Sequence, residues 1–203
     1  MKIGFTYDLE TDHPIKPDDP PDTLAEFDRS PTIDLIGKSL AINGNKVIYI
    51  GNVHHLLADI SMFKKSVDIV FNIAEGASGR NREAQVPVIL ELFRIPYVGS
   101  DGLTQALTLD KFMTKKILLS SDINTPNYMH IKNTVSSINT STLNFPLIVK
   151  PRWEGSSKGI TGKSRVENRH QLVKQVNHIK KVYKQPVLIE EFITGAEYTV
   201  ASI

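Results

Sequence analysis

Three short apolar runs, separated by helical stretches, constrain the first hundred residues more than any other feature. The runs Lys2 to Tyr7, Lys46 to Ile50 and Val67 to Phe71 are rich in Ile, Val, Phe and Tyr. They are too short for buried helices and read as strands. Between them, Ile33, Ile36, Leu40 and Ala41 share one helical face. Ser30-Pro31 reads as an N-cap with Pro at the first helical position, and Asn43-Gly44 as the stop. His54 to Lys65 reads as a second helix. This strand–helix–strand–helix–strand order predicts an α/β fold with parallel strands and right-handed crossovers. A helix over Arg82 to Phe93, with Ala84, Val88, Leu90 and Leu92 available for packing, leads to a fourth strand at Ile95 to Val98. The first domain is expected to end near Gly99-Ser100, giving domains of residues 1–100 and 101–203.

Two loops interrupt this pattern. Asp8 to Arg29 holds Pro14, Pro17, Pro20 and Pro21 among many carboxylates, so it forms no regular helix or central strand. A loop of that length is usually functional or disordered. The polar stretch Asn72 to Asn81 follows the third strand, at the end where open α/β sheets place ligands. Its Glu75 suits either a substrate amine or a helix cap.

The second half reads differently. Thr104 to Ser120 is helical, with Asp110 capping a segment that carries Lys111, Lys115 and Lys116. Tyr128 to Ile131 is a strand, and Thr134 to Thr142 a short polar helix. In Pro146 to Ile160, the run Leu147-Ile148-Val149 delivers Lys150. Pro151 stops the strand, and a loop with Gly155, Ser156, Ser157 and Gly159 follows. A fixed cation beside a glycine-containing, donor-rich loop suits a polyphosphate; an ordinary strand and surface turn would also fit. Ile160 to Val166 reads as a strand, Glu167 to Tyr183 as a helix with Leu172, Val173, Val176 and Ile179 inward, and Val187 to Phe192 as a strand holding Glu190 and Glu191. After a turn at Gly195, Tyr198 to Ile203 begins another strand with no cap or polar tail, so a fragment is expected.

Composition narrows the function classes. Of 203 residues, 40% are hydrophobic and 23% charged, with a net charge of +2, too small to argue for nucleic acid. No apolar run approaches the roughly 18 residues of a membrane span, and no secretory signal is evident. The absence of Cys removes disulfides, thiolate metal sites and a Cys nucleophile. A cytoplasmic protein with neither nucleic acid nor membrane as partner is expected. An acidic front (Asp8 to Asp28) and a basic rear (Lys150 to Lys184) would suit a ligand with a cationic and an anionic end, or be two solvated surfaces. The six His show no metal-ligand spacing, and Trp153, the sole Trp, reads as packing.

No GxxxxGK[ST] and no strand-following GxGxxG is present. A different nucleotide grip is suggested: Lys150 and the Gly155–Gly159 loop for phosphates, the strand Val187 to Phe192 for adenine, and Glu197 for ribose. Five ordered blocks sharpen this. They are Phe71 to Gly76 with Gly79 to Ala84; Leu90 to Ser100; Leu109 to Lys111 with Thr114-Lys115; Lys150 to Gly159; and Leu188 to Ile193 with Gly195 to Val200. Together they resemble the ATP-grasp ligases, and within them the D-alanine–D-alanine ligases.

The resemblance implies a Rossmann-like parallel sheet, the pre-ATP-grasp domain. The first part of an ATP-grasp α+β domain would follow, with a small subdomain over about 106–184 and the start of a large one over about 185–203. It implies that Lys111 and Lys150 contact ATP phosphates. Gly155, Ser156 and Ser157 would lie in a flap over them, Glu190, Phe192 and Ile193 would flank adenine, and Glu197 would hold the ribose. It further implies ATP-driven joining of a carboxylate and an amine through an acyl phosphate. The small-molecule partners would be amino acids or peptides, with a homodimer as the assembly to test. Magnesium is an expected cofactor, its ligands lying beyond residue 203, so this chain would be inactive alone; the alternative is a non-catalytic nucleotide-binding remnant. Glu75-Gly76 stands where the family carries His-Gly, and the long acidic segment with Glu26-Phe27-Asp28 stands where its substrate Glu lies in a shorter one.

Overall fold

A computed structural model describes residues 1–132 and 141–200. The helix expected over Thr134 to Thr142 falls almost wholly outside them, as does the end of the strand expected from Tyr198; Tyr198–Val200 has no regular structure. The chain forms two compact units, Met1–Thr114 with Trp153–Lys158, and Lys115–Arg152 with Gly159–Ile203.

The first unit is built on a four-stranded sheet. Its strands are β1 (Lys2–Thr6), β2 (Lys46–Gly51), β3 (Ile69–Asn72) and β4 (Tyr97–Val98), in the order β2-β1-β3-β4. All three pairings are parallel, as the alternating pattern predicts. Around the sheet lie α1 (Ser30–Ala41), α2 (Val53–Ala58), α3 (Ile60–Ser66), α4 (Gln85–Leu92) and α5 (Gly102–Leu109). Its core joins Ile50, Leu56, Ile60, Phe63, Val70, Ala74, Val86, Leu90 and Ile95.

Several local expectations are corrected. Arg29, extended at ψ 152°, takes the N-cap position of α1, and Ser30 is its first helical residue, with no side-chain cap. The helix expected over His54 to Lys65 is two, broken where Asp59 leaves helical geometry at φ −125°, ψ 25°. Asn52 caps the first of them, accepting from the N–H groups of His54 and His55. In α4 the buried residues are Val86, Pro87 and Leu90, while Val88 and Leu92 are exposed. A 3-10 turn over Arg82–Ala84 precedes α4 and rotates the inward face away from the one a single continuous helix would show.

The second unit has an antiparallel sheet of β5 (Tyr128–Ile131), β6 (Leu147–Pro151), β7 (Arg165–Val166) and β8 (Val187–Glu191), in the order β5-β8-β6-β7. Only the last two residues of the strand expected over Ile160 to Val166 pair; Thr161 to Ser164 instead close a turn, Ser164 N–H donating to the Thr161 carbonyl at 2.9 Å. The helix α7 (Arg169–Tyr183), capped by Asn168, lies on one face. Successive strand residues point to opposite faces. Leu147, Val149, Val166, Val187 and Ile189 therefore join Leu172, Val176 and Ile179 in one core. The other face carries Lys150, Glu190, His130 and Arg165, which alternate with that apolar set.

Candidate functional site

The charged face of the second sheet holds the first constellation. Ile148 lies opposite Glu190 in the β6–β8 ladder, and Lys150 is two residues further along the same face, a diagonal neighbour of Glu190. The Lys150 ammonium pairs with Glu190 Oε2. Lys115, from α6 (Lys111–Ser120), pairs with Glu190 Oε1 at 2.8 Å and also donates to Thr125 Oγ1 at 2.5 Å and the Pro126 carbonyl at 3.0 Å. It stands 5.0 Å from the Tyr128 ring centroid. Lys115 and Glu190 are buried, whereas Lys150 keeps 23% side-chain exposure. One carboxylate thus sits between two ammonium groups, a net positive cluster whose accessible member is Lys150. Buried charges persist only when paired and hydrogen-bonded, as Lys115 is here.

Next to this cluster, Phe192 donates its N–H to the Pro146 carbonyl at 2.9 Å and carries the Arg165 guanidinium 4.8 Å from its ring centroid. Ile193 is exposed. Glu197 is exposed in a segment without regular structure, and no contact ties it to Glu190 among the described residues. Glu191 accepts from Asn144 N–H (2.7 Å) and the Asn144 and Asn127 amides (3.0 Å each). The Asn144 N–H leads in holding its carboxyl below the usual carboxylate range. Glu191 therefore anchors the segment before β6.

The second constellation lies within the first unit and is built on the acidic loop, which is ordered. Leu9 bridges Asp28, Asp28 N–H donates to Asp8 O and Glu10 N–H to Asp28 O, both at 3.0 Å, and His13 stacks on Phe27 at 3.8 Å. The loop closes on its own backbone, and that closure positions Glu26. Arg82 donates from Nη2 to both Glu26 oxygens at 2.8 and 2.9 Å. Lys158 donates to Glu26 Oε2 at 3.1 Å, and Gly155 N–H to Oε1 at 2.5 Å. Burial alone would raise the Glu26 pKa, but Arg82, Lys158 and the Gly155 N–H overcome it and hold the carboxyl below its ordinary value. A Cβ on Gly155 would stand 2.7 Å from Glu26 Oε1, so this approach requires glycine.

The same glycine-containing segment is held at other points. Arg82 Nη1 donates to the Trp153 carbonyl at 2.7 Å, Trp153 Nε1 to Asp110 Oδ2 at 3.2 Å, and Lys111 to the Glu154 carbonyl. Trp153 thus packs and hydrogen-bonds, as its sequence position suggests. Asp110 caps α6 as expected, its Oδ1 accepting from Met113 N–H at 3.2 Å. Ser156 and Ser157 are exposed and both left-handed, with φ of 42° and 61°. Two consecutive serines there store strain of about 1 kcal/mol or more each.

Glu75 lies beside Glu83 in this unit. Burial, then the charges of Glu83 and Glu26, push its pKa up to about 7. Glu83 is also raised, chiefly by burial, despite the opposing Arg82 charge. Glu75 does not cap α4; that helix has no side-chain cap. Its surroundings therefore leave the carboxyl partly protonated near neutrality, able to donate or accept. Asp8 completes the group, receiving Gly76 N–H at 2.9 Å.

The pairings of Arg82, Lys115 and Lys158 are not readable from the sequence, although the residues fall in the blocks quoted above. Their partners are 56, 75 and 132 residues away in the chain, and no local spacing announces such pairs. The Leu90–Ser100 block is also structural: Glu91 Oε1 accepts from Tyr97 OH at 2.6 Å and Gly102 N–H at 3.2 Å, fastening α4 to the start of α5.

A parallel-sheet unit followed by an antiparallel sheet with one helix-covered and one charged face is the arrangement of an ATP-grasp protein. It superposes on a D-alanine–D-alanine ligase from Bacillus anthracis with a TM-score of 0.71, at 24% identity, covering 96% of this chain and 58% of that one. Residues 117–203 match the family described as D-ala D-ala ligase C-terminus. Among sequence relatives, a D-alanine–D-alanine ligase of Carboxydothermus hydrogenoformans is 33% identical over 177 residues, 84% of this chain and 54% of the relative. An uncharacterized protein, y4sG, of Sinorhizobium fredii is 40% identical over 133 residues, 66% of this chain and 38% of the relative. The chain is therefore D-alanine–D-alanine ligase-like. It spans about half the length, or less, of these curated relatives.

Proposed function

We propose that the complete protein is an ATP-dependent carboxylate–amine ligase, and that this chain carries much of its nucleotide grip. The observation that supports this best is the Lys115–Glu190–Lys150 cluster. A sheet that needs only one apolar face for its core sets a partly exposed ammonium on its other face and fixes it from below. Phosphoryl transfer asks a protein for charge neutralisation and positioning rather than covalent work, and a lysine held in this way suits that demand.

In this reading Lys150 and Lys111 contact the ATP phosphates, and Gly155, Ser156 and Ser157 cover them. Glu190, Phe192 and Ile193 flank adenine, and Glu197 takes the ribose hydroxyls. When bound, ATP would supply the phosphoryl group that activates a substrate carboxylate as an acyl phosphate, which an amine then attacks. The chain's own groups bind, neutralise and exclude water, since an acyl phosphate must be shielded from hydrolysis. The donor set, two lysines and a glycine–serine segment, fits a polyphosphate. Among the described residues no group of three His, Asp or Glu side chains is placed to hold a metal ion; magnesium ligands are proposed for the part of the protein beyond residue 203. Among those same residues no helix is long and apolar enough to cross a membrane; a cytoplasmic setting is part of the proposal. The homodimer and the two-domain division near residue 100 stand as proposals of the same kind.

One observation favours a substrate other than D-alanine. Glu75, with a pKa pushed up to about 7, occupies the position where the resemblance implies His, so the chemistry there is carboxylic. The experiment is ADP release by the complete protein with a panel of D- and L-amino acids and short peptides. ATP-dependent release with at least one carboxylate–amine pair is expected, and its loss in Lys150→Ala. ATP binding without ADP release for every pair would overturn the ligase reading.

A further inference from the structure

The strongest unassigned feature lies at the β7 edge of the second unit. Helix α7 presents Gln171, Lys174, Gln175 and His178, spaced three and four residues apart, to a cavity of about 660 Å³. The turn before β7 closes the other side with Thr161, Gly162, Lys163 and Arg165. That volume falls within the range of small-molecule sites.

The lining is unusual in charge. Among the described residues it contains Lys163, Arg165, Lys174 and His178, and no carboxylate. Glu167 pairs with Arg165 at 3.0 Å while both remain about half exposed, and the Arg165 guanidinium also lies 4.8 Å from the Phe192 ring centroid. An exposed pair of that kind is worth little, so Arg165 can exchange it for a ligand. Clustered like charges raise the local concentration of counter-ions.

Gln175 also lines the cavity: the residue is 6% exposed, with its amide reachable by solvent. Its neighbour Gln171 is engaged, accepting from Glu167 N–H at 2.7 Å. A ligand in the cavity would meet the cations of Lys163, Arg165 and Lys174 together with the Gln175 amide.

We propose that this cavity binds a small phosphorylated molecule. The phosphate would lie among Lys163, Lys174 and Arg165, and Gln175 would hydrogen-bond to a polar group beyond it. The site shares no lining residue with the Lys150–Glu190 cluster, although Arg165 also touches Phe192, and it does not depend on the ligase reading. Any link to turnover would be regulatory.

The test is titration of the ¹⁵N-labelled protein with inorganic phosphate, and separately with glycerol 3-phosphate, following the Gln175 side-chain amide and the α7 backbone amides. Saturable shifts of the α7 signals are expected with both. The Gln175 signal should move with the phosphoester, and affinity should fall about tenfold in K163A/K174A, two exposed positions. Lys150→Ala should leave both affinities within about twofold. Sodium chloride at matched ionic strength reproducing the shifts, unchanged affinity in K163A/K174A, or shifts confined to Lys150 and residues 155–157 would each overturn the proposal. Because no turnover is read, failure of the ligase activity would leave the result intact.

Discussion

Glu190 is shared by two lysines, one buried and one partly exposed, and this makes it a residue with two roles. Removing its charge would strand Lys115 in a buried site with only neutral partners. Glu190→Ala is therefore expected to destabilise the protein by about 3 kcal/mol, the usual cost of breaking a buried pair from one side. Denaturant unfolding would measure it, and Lys115→Met in that background should restore part of the loss. Glu75 offers a pH signature. Its pKa is raised in the folded state, to about 7 from an ordinary 4.5. The stability it contributes is complete below pH 4.5 and is lost as pH rises through about 7, because the unfolded chain then releases its proton more readily. Glu75→Gln should accordingly raise the Tm relative to the parent at pH 8 and leave it nearly unchanged at pH 4. A higher Tm for the parent at pH 8 would show the carboxylate to be stabilised there. At this scale the sequence was half legible. Lys150 stood out because a strand and a glycine loop flank it, whereas Lys115 looked like one of three lysines on an amphipathic helix. Its role depends on a partner 75 residues away.

At the level of elements, the turn after Pro151 is tightly constrained. Gly159 has φ +76°, and a Cβ there would stand 2.3 Å from Pro151 Cγ. Gly159→Ala combines a left-handed backbone with a ring clash, so a loss of about 2–3 kcal/mol is expected from thermal or urea unfolding. An unchanged Tm would mean that the turn relaxes freely. The acidic loop is the counterpart. Four prolines and many carboxylates exclude an α-helix or a central strand, which the residues announce plainly, and the loop holds a 3-10 turn over Glu10–Asp12. They do not announce that Leu9 would bridge Asp28 or that Glu26 would gather Arg82, Lys158 and Gly155 N–H. Glu26→Gln should weaken all three contacts, and limited proteolysis would detect this as faster cleavage within residues 153–158. Most strands were legible from their apolar runs, although only Arg165–Val166 of the run Ile160 to Val166 pairs. The break at Asp59 and the 3-10 turn over Arg82–Ala84 were not, because periodicity does not register a single residue leaving helical geometry.

For the whole molecule, the order of elements carried the fold: alternating strands and helices give the parallel sheet, and apolar runs without crossover helices between all of them give the antiparallel one. Ordered blocks of residues, rather than any single motif, carried the likeness to D-alanine–D-alanine ligases, which residues 117–203 and the superposition support independently. The central claim is that ATP consumption is tied to amide formation, and the direct measurement is the ratio of amide product, by mass spectrometry, to ADP released by the complete protein with its best carboxylate–amine pair. The account predicts one amide per ADP, with both lost together in Lys150→Ala. ADP released without amide, or amide formed without ATP, would contradict it.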